Sequence, residues 1–507
     1  MCGLAIVFQS RPHSAEPFVR SMLGRMYHRG FSHNEIWASS MVALGANRLE
    51  IVDPLGGKQP ATNENSTLFA VLNGEIYNHQ ELRNHLKSCG HSFKSVCDTE
   101  ILVHAFEEWG TDLCKELRGM FAFAIYNQKD NSILLARDPT GIKPLYIGYG
   151  HNTLFAASEA KALVGFTDSA DLLPPGHVFV GSNSIPYHSV NEETIGYSFE
   201  VAASHLRELL IESLHLRIQK DLPFAIFLSS GIDSSFLLAL AAKIRPDVIA
   251  ISFGLPGSPE LVEAAKFCQL LGVRHEAVEM SFDELILRYE KVIYHLESFE
   301  PNLVRAALIT DALCERARQL GLRVALAGEG ADEQFAGYDD FQLLPENELE
   351  GALQTFFNDL HRTQLLRWDK IGMAHTLEVR APFMDSRIVA FAHSLPASCK
   401  IGFLPDKAEK FCKTILREAA KGILPETIRL RQKLPMDDGV VAGGGQKWSL
   451  LVSKYIESLP IPTLPSSICE QYAIQSREEC VNLNILLRYL PPEFISDSRI
   501  TVRKKPT

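Results

Sequence analysis

The sequence predicts a two-domain α/β protein, and three features of its texture carry that expectation. Up to about residue 185 the chain is a series of short, β-prone apolar runs, such as Leu68-Phe69-Ala70-Val71-Leu72 and Ser132-Ile133-Leu134-Leu135-Ala136. Gly, Asn, Asp and Pro punctuate them, so this half reads as packed sheets with a few helices. Beyond about residue 200, helical patterns at 202–219 and 311–320 alternate with strand-like runs at 224–228, 248–253 and 323–326, the alternation of a parallel sheet flanked by helices. Between the halves, Leu173-Pro174-Pro175-Gly176-His177 and a polar stretch to about residue 194 mark a boundary. The domains are accordingly placed at 2–190 and 200–495, with a basic tail at 496–507.

With 507 residues, 46% of them hydrophobic, the chain can bury two substantial cores. Its 50 basic and 61 acidic residues leave a formal charge of -11 without a long block of one sign, which excludes a surface built to neutralise nucleic acid. The 10 cysteines include no Cys-x-x-Cys pair, so zinc–thiolate and dithiol redox chemistry are not expected, and most read as reduced, buried, small apolar residues. The opening Met-Cys-Gly-Leu-Ala-Ile-Val-Phe is too short and lacks the basic start of a secretory signal. No later run approaches the roughly 20 apolar residues of a membrane span. A cytoplasmic enzyme with neither membrane nor nucleic-acid partners is expected, any metal being a labile hard cation.

The chemistry starts at position 2. Loss of Met1 would leave Cys2 as the first residue, with a thiol and an α-amine on one carbon skeleton. Such an amine ordinarily titrates at about 7.7 to 8.0 and can serve as the base for its own thiol. Asn73-Gly74-Glu75 follows a strand-like run, and such a turn can aim a side-chain amide and a backbone N–H at a developing oxyanion. The same Asn-Gly pair also suits an ordinary hairpin. Arg48 could hold an α-carboxylate bidentately and Asp98 could pair with an α-ammonium, unless both form plain surface ion pairs. Taken together these residues describe a site for a zwitterionic amide.

A family resemblance rests on several ordered segments. They are Met1-Cys2-Gly3, His28-Arg29-Gly30, Arg48 to Asp53, Asn73-Gly74-Glu75-Ile76-Tyr77-Asn78, Asp98-Thr99-Glu100, Leu117-Arg118-Gly119-Met120-Phe121, Arg137-Asp138-Pro139-Thr140-Gly141 and Ala157-Ser158-Glu159. In these the chain resembles class II glutamine amidotransferases of the N-terminal nucleophile hydrolase fold. The resemblance implies an αββα domain in which Cys2 is the nucleophile and Asn73 and Gly74 form the oxyanion hole. It also implies that Arg48, Leu49, Ile51, Val52, Asn73, Gly74, Glu75 and Asp98 surround glutamine. Phe31-Ser32-His33 departs from the family, standing where Pro-Asp is common in a segment that helps cover the glutamine pocket.

In the second half, Phe224-Ala225-Ile226-Phe227-Leu228 runs into Ser229-Ser230-Gly231-Ile232-Asp233-Ser234-Ser235 and then a helix-prone stretch. Strand, small-residue loop and helix start let backbone N–H groups and hydroxyls surround phosphate oxygens; a serine-rich N-cap is the plain alternative. The run resembles the PP-loop of ATP pyrophosphatases, Ser-Gly-Gly-x-Asp-Ser, and lacks the Gly-Lys-Ser/Thr of a P-loop. Cleavage between the α- and β-phosphates, giving an acyl-adenylate and pyrophosphate, is implied. Ser230 stands at the first glycine position, where serine fits if the backbone avoids positive φ.

A second loop, Ala327-Gly328-Glu329-Gly330-Ala331-Asp332-Glu333-Gln334-Phe335-Ala336-Gly337-Tyr338, would alone read as a solvated turn. Beside the first it resembles the asparagine synthetase family pattern Ser-Gly-Glu-Gly-x-Asp-Glu-x-Phe-x-Gly-Tyr. The resemblance implies a doubly wound parallel sheet of the PP-loop type with extra helices, ATP as co-substrate, and Asp233 and Asp332 as magnesium (Mg2+) ligands. Glu329 would accept the proton as ammonia attacks. The ATP site would comprise Leu228, Ser229, Ser230, Gly231, Asp233, Ser234, Ser235, Phe253, Ala327, Gly328 and Lys433, with Lys433 at the pyrophosphate.

The implied reaction hydrolyses glutamine to ammonia and amidates an adenylated small carboxylate, aspartate by family frequency, and a homodimer is compatible with it. Arg305 and Asn302 fall where relatives line the acceptor site. Asn302 and Leu303 replace two common threonines, so a carboxylate from a specialised biosynthetic pathway is an alternative acceptor. A ring-closing ligase resembling β-lactam synthetase would not need Cys2, and a binding protein with a degenerate ATP site would not need Asp233, Glu329, Asp332 and Lys433 together.

Overall fold

The computed structural model describes residues 2–9, 14–30, 32–54, 56–188, 196–219, 221–405, 407–432, 440–441 and 445–495. Phe31, Lys433 and the basic tail 496–507 lie outside the described residues, as do the side chains of 32–34. The chain divides into two compact units. The first is Met1–Ser189 with Met373–Thr376 and Ile485–Asp497; the second is Val190–Gly372 with Leu377–Asn484 and Ser498–Thr507.

The first unit contains two six-stranded sheets. Its strands are β1 (Cys2–Gln9), β2 (Ser32–Ala38), β3 (Val42–Arg48), β4 (Ala61–Thr62), β5 (Leu68–Ile76), β6 (Gly119–Asn127), β7 (Ser132–Arg137), β8 (Tyr146–Gly150), β9 (Thr153–Ala157), β10 (Asp171–Leu172), β11 (His177–Val180) and β12 (Asn183–Pro186). One sheet runs β10-β8-β9-β1-β3-β2 and the other β12-β11-β7-β6-β5-β4, with antiparallel neighbours throughout.

Strand periodicity sorts their side chains into layers. Leu4 and Ile6 of β1 and Phe69 and Val71 of β5 share the core between the sheets. Leu68, Ala70 and Leu72 of β5 point the other way, packing with Leu82 and Leu86 of helix His79–Ser88 and Ile101 and Ala105 of helix Thr99–Trp109. Helix Glu16–Arg25 covers the far sheet, where Gly45 of β3 leaves no room for a Cβ beneath Val19 and Leu23. The layers are therefore the αββα arrangement that the resemblance implies.

The second unit is built on a parallel sheet, β15-β14-β13-β16-β17, comprising β13 (Phe224–Phe227), β14 (Ile249–Gly254), β15 (Arg274–Glu279), β16 (Val324–Leu326) and β17 (Glu378–Arg380). The chain winds outward from β13 through β14 to β15, then returns to the other side of β13 as β16. Ligands of doubly wound sheets bind outside the carboxyl ends of the strands at such a reversal. Helix Ile232–Ile244, which leaves β13, is buried from Ile232 through Ala241, as its nearly all-apolar sequence requires. Among the described residues no helix is long and apolar enough to cross a membrane.

The family turn after β7 is structural. Arg137 is fully buried and donates to the carbonyls of Lys143, Leu173 and Gly141. The buried Asp138 accepts from the backbone N–H groups of Thr140, Ile142, Lys143 and Phe121. Asp138→Ala strands these donors away from water. It is expected to destabilise the first unit by about 3 kcal/mol, read as a lower urea midpoint.

Candidate active sites

In the first unit a pocket opens at one end of the layer between the sheets. Cys2 shares strand parity with Leu4 and Ile6, and Asn73 with Phe69 and Val71, so both side chains face the layer. The Cys2 backbone nitrogen, which becomes the α-amine when Met1 is lost, donates to Asn73 Oδ1 at 3.0 Å. That leaves the buried Asn73 Nδ2 without an acceptor among the described residues, a deficit of about 1–3 kcal/mol unless something fills it. Gly74 has φ 145°, and a Cβ there would stand 2.0 Å from the Met120 carbonyl oxygen, so only glycine fits against β6. Burial pushes the Cys2 thiol up from its ordinary value, opposed by the amino-terminal charge, the Leu49 amide and Arg48.

Arg48, Leu49, Ile51, Val52, Gly74, Glu75 and Asp98 line this pocket together. Asp98 Oδ2 accepts from the Ile76 N–H at 3.0 Å, fixing the carboxylate on the wall. Arg48, expected as a carboxylate clamp, is engaged with its own loop in this structure. Its Nη2 donates to the Val52 and Asp53 carbonyls at 2.7 Å each and its Nη1 to Pro54 at 3.3 Å, so it holds the loop that follows it. Sequence reasoning missed Gln59 and Thr99. Gln59 Nε2 reaches Cys2 Sγ at 3.6 Å and Thr99 Oγ1 at 3.3 Å, while its Oε1 accepts from the Leu72 N–H at 2.8 Å. No local motif marks Gln59; Thr99 sits inside the family-like Asp98-Thr99-Glu100.

In the second unit the loops after β13 and β16 lie side by side, because Ile226 and Leu326 are register partners. A Cβ on Gly328 would meet the Asp233 Cβ at 3.1 Å and the Ser234 nitrogen at 3.2 Å, so glycine permits this approach. A cavity of about 680 Å³ opens there, and Leu228, Ser229, Gly231, Asp233, Ser234, Phe253, Ala327 and Gly328 all line it.

Two expected members of the ATP site do not reach that wall. Ser230 Oγ turns to the Glu260 carbonyl at 3.3 Å, and Ser235 is fully buried within its helix. Ser230 also has φ 53°, so the condition under which serine would fit there without strain is not met. The loop keeps the left-handed residue that a glycine would supply, at a cost of roughly 1–2 kcal/mol.

Asp233 and Asp332, expected to share magnesium, converge on an ammonium. Lys413 Nζ lies 2.7 and 2.6 Å from the two Asp233 oxygens and 2.6 Å from Asp332 Oδ1. Gly337 makes room: a Cβ there would stand 1.9 Å from Asp332 Oδ1 and 2.2 Å from Lys413 Cε. Lys433 lies outside the described residues; among those described, Lys413 is the cation between these carboxylates, and its signal was the family-like Lys413-Thr414-Ile415-Leu416-Arg417. Glu329 is anchored on one oxygen by Trp368 Nε1 at 2.5 Å and the buried Arg367 at 3.2 Å. Behind it, burial and the charges of Asp332 and Glu329 push the Glu333 carboxyl up to about 8, with the Tyr338 hydroxyl donating to it at 2.6 Å.

Arg305 and Asn302, expected at the acceptor, line the cavity and are paired within the protein. Arg305 forms a two-point ion pair with Glu478, its Nε 3.0 Å from Oε1 and its Nη2 on Oε2. Asn302 donates to Glu300 Oε1 at 3.0 Å; Glu300 caps helix Pro301–Gln319, accepting from Leu303 N–H at 2.6 Å. A helix start needs such an acceptor, which accounts for the arrangement.

Comparison with known proteins agrees with this division. Residues 1–178 match the glutamine amidotransferase domain family, and residues 205–352 and 342–450 the asparagine synthase family. The glutamine-hydrolysing asparagine synthetase 1 of Arabidopsis thaliana is 32% identical over 472 residues, covering 88% of this chain and 79% of that protein. A glutamine-hydrolysing asparagine synthetase of Sandersonia aurantiaca is 33% identical over 88% of each chain. A probable one from Dictyostelium discoideum is 32% identical, covering 88% of this chain and 86% of that protein.

Two substitutions test these environments. Ser230→Gly removes the left-handed strain and is expected to raise stability by about 1 kcal/mol in urea unfolding. Glu333 is protonated in the folded chain across a window where it is ionised when unfolded, so its contribution is complete below about pH 4.5 and disappears as pH rises through about 8. Glu333→Gln keeps the acceptor for Tyr338; it should flatten that decline and raise the urea midpoint at pH 8 while leaving it nearly unchanged at pH 4.

Proposed function

Because the chain belongs to the family of glutamine-hydrolysing asparagine synthetases, we propose that it converts aspartate to asparagine with ATP and glutamine. The observation that carries the glutaminase half is the contact between the Cys2 nitrogen and Asn73, with Asn73 Nδ2 left as a buried donor. A thiol raised by burial needs a nearby base, and the α-amine of Cys2 supplies one. The thiol proton passes to that amine as Sγ attacks the glutamine amide carbon. Asn73 Nδ2 and the Gly74 N–H receive the oxyanion. The amine then returns the proton to the departing ammonia, and water hydrolyses the thioester. Arg48, Leu49, Ile51, Val52, Glu75 and Asp98 would seat the glutamine. The room among them is about 20 Å³, close to that of one water, so seating it means displacing the segment that Arg48 ties down.

In the synthetase half, the loops after β13 and β16 cradle ATP, with Leu228, Phe253 and Gly328 toward the base. The acceptor carboxylate attacks the α-phosphorus and pyrophosphate leaves. Ammonia then attacks the acyl-adenylate, Glu329 takes its proton and AMP departs. The carboxylates of Asp233 and Asp332 offer oxygen donors that suit a hard cation, and their shared seat is filled by the Lys413 ammonium, which would have to move aside for an ion to bind. Bound there, magnesium would offset the charge of the pyrophosphate. Lys413 lies on the same seat and would serve that charge from beside it.

One observation favours a second reading of the acceptor. Arg305, one of several cations lining the cavity, is paired with Glu478, and Asn302 is paired with Glu300. This arrangement suits a carboxylate other than aspartate. ATP–pyrophosphate exchange separates the two: robust exchange and asparagine formation with aspartate establishes the first, and exchange only with other acids the second. Cys2→Ala should abolish glutamine-dependent synthesis by at least about 1,000-fold and leave synthesis from ammonium intact. Loss of both would contradict the division of labour.

A further inference from the structure

Away from both sites, four side chains of the first unit converge: Glu64, His91, His104 and Glu107. They come from the turn before β5, the loop after helix His79–Ser88, and one face of helix Thr99–Trp109, where His104 and Glu107 are a turn apart. The two imidazoles face each other through Nδ1 atoms 3.2 Å apart. Both nitrogens cannot carry protons toward each other at that distance. Each presents a lone pair to the same point or one accepts from the other.

The carboxylates surround the same point. Glu64 Oε1 is 3.5 Å from His91 Nδ1 and Glu64 Oε2 is 3.4 Å from His104 Nδ1. Glu107 Oε2 lies 3.8 and 3.9 Å from the same nitrogens. A tetrahedral zinc ion with bonds of about 2.0–2.1 Å to nitrogen and oxygen has ligand-to-ligand edges of roughly 3.3 Å, and one ligand atom from each of the four residues already lies within 4.8 Å of the others.

The surroundings are those of a held ligand set. The far nitrogen of His91 bonds Glu108 Oε1 at 2.9 Å, the carboxylate–histidine pairing that orients metal-binding imidazoles, whereas that of His104 faces Glu100 Oε1 at 3.7 Å, beyond hydrogen-bond reach. Glu64 Oε1 is fixed by the Ser92 N–H at 2.7 Å and Glu107 Oε1 by Asn63 Nδ2 at 3.0 Å. His104 is fully buried, so solvent does not choose its orientation.

We propose that Glu64, His91, His104 and Glu107 bind one divalent transition-metal ion of the zinc class. Two imidazole nitrogens with two carboxylates suit zinc and its neighbours rather than magnesium. The ion ties the turn, the loop and the helix together. Asp98 and Thr99, at the other end of that helix, line the glutamine pocket, so the ion braces one wall of it from behind. The proposal does not depend on the amidation chemistry.

The test uses the full, tag-free chain, stripped with chelator, dialysed and titrated with Zn2+ while metal content and Tm are followed. One tightly held ion per chain and a rise in Tm are expected, both lost in His91→Asn, whose site is partly exposed. Glu108→Gln, which removes only the orienting partner, should weaken binding about tenfold. Co2+ should give the intense visible absorption of four-coordinate cobalt, without a sulfur-to-metal band. Zn2+ uptake equal in the native chain and His91→Asn, or no stoichiometric uptake, would overturn the proposal in favour of imidazolium–carboxylate pairs alone.

Discussion

The second unit depends on a single buried ammonium. Lys413 balances Asp233 and Asp332, which arrive from loops following two neighbouring parallel strands. Without that charge the two carboxylates would repel each other in a poorly solvated cleft, and removing one member of such a buried set typically costs about 3–5 kcal/mol. The glycines around it follow from the same constraint. Gly337 yields to Asp332 and the lysine stem, and Gly328 lets the two loops touch. Glu333, the carboxyl next to this group, meets the remaining electrostatic strain by holding its proton up to about pH 8.

The first unit solves the opposite problem. Its reactive group is a buried thiol that burial renders more reluctant to ionise, so charge has to be created there during reaction rather than stored beforehand. The layer between the sheets provides the setting. Strand alternation brings Cys2 and Asn73 to the same interior face, and Asn73-Gly74-Glu75, read from the sequence as a turn, continues strand β5, where the tight contact of Gly74 with β6 holds it in register. Preorganised donors cost nothing to rearrange when negative charge forms beside them, and Asn73 Nδ2 is a buried donor without an acceptor among the described residues.

On the cavity wall that Arg305 and Asn302 line, electrostatics are settled internally. Arg305 has Glu478, and the Glu300 cap, pushed up to about 7 by burial, has Asn302. These side chains recognise one another within the protein, so each carries its partner before any ligand arrives.

The linear chain made the chemistry legible wherever the needed groups are neighbours. Cys2, Asn73-Gly74-Glu75, the serine-rich loop after a strand and the Gly-Glu-Gly-Ala-Asp loop each bring their groups within one turn, and strand or helix periodicity announces the element that carries them. What tertiary structure alone decided is which distant groups meet: Gln59 on Cys2, Lys413 between two aspartates, Trp368 and Arg367 on Glu329, and Glu478 on Arg305 across 173 residues. The backbone angle at Ser230 belongs to the same class, because a loop's φ follows from its packing and not from its residue type. Local chemistry is written in adjacent residues, whereas charge pairing and loop geometry are set by through-space distances that only the folded chain creates.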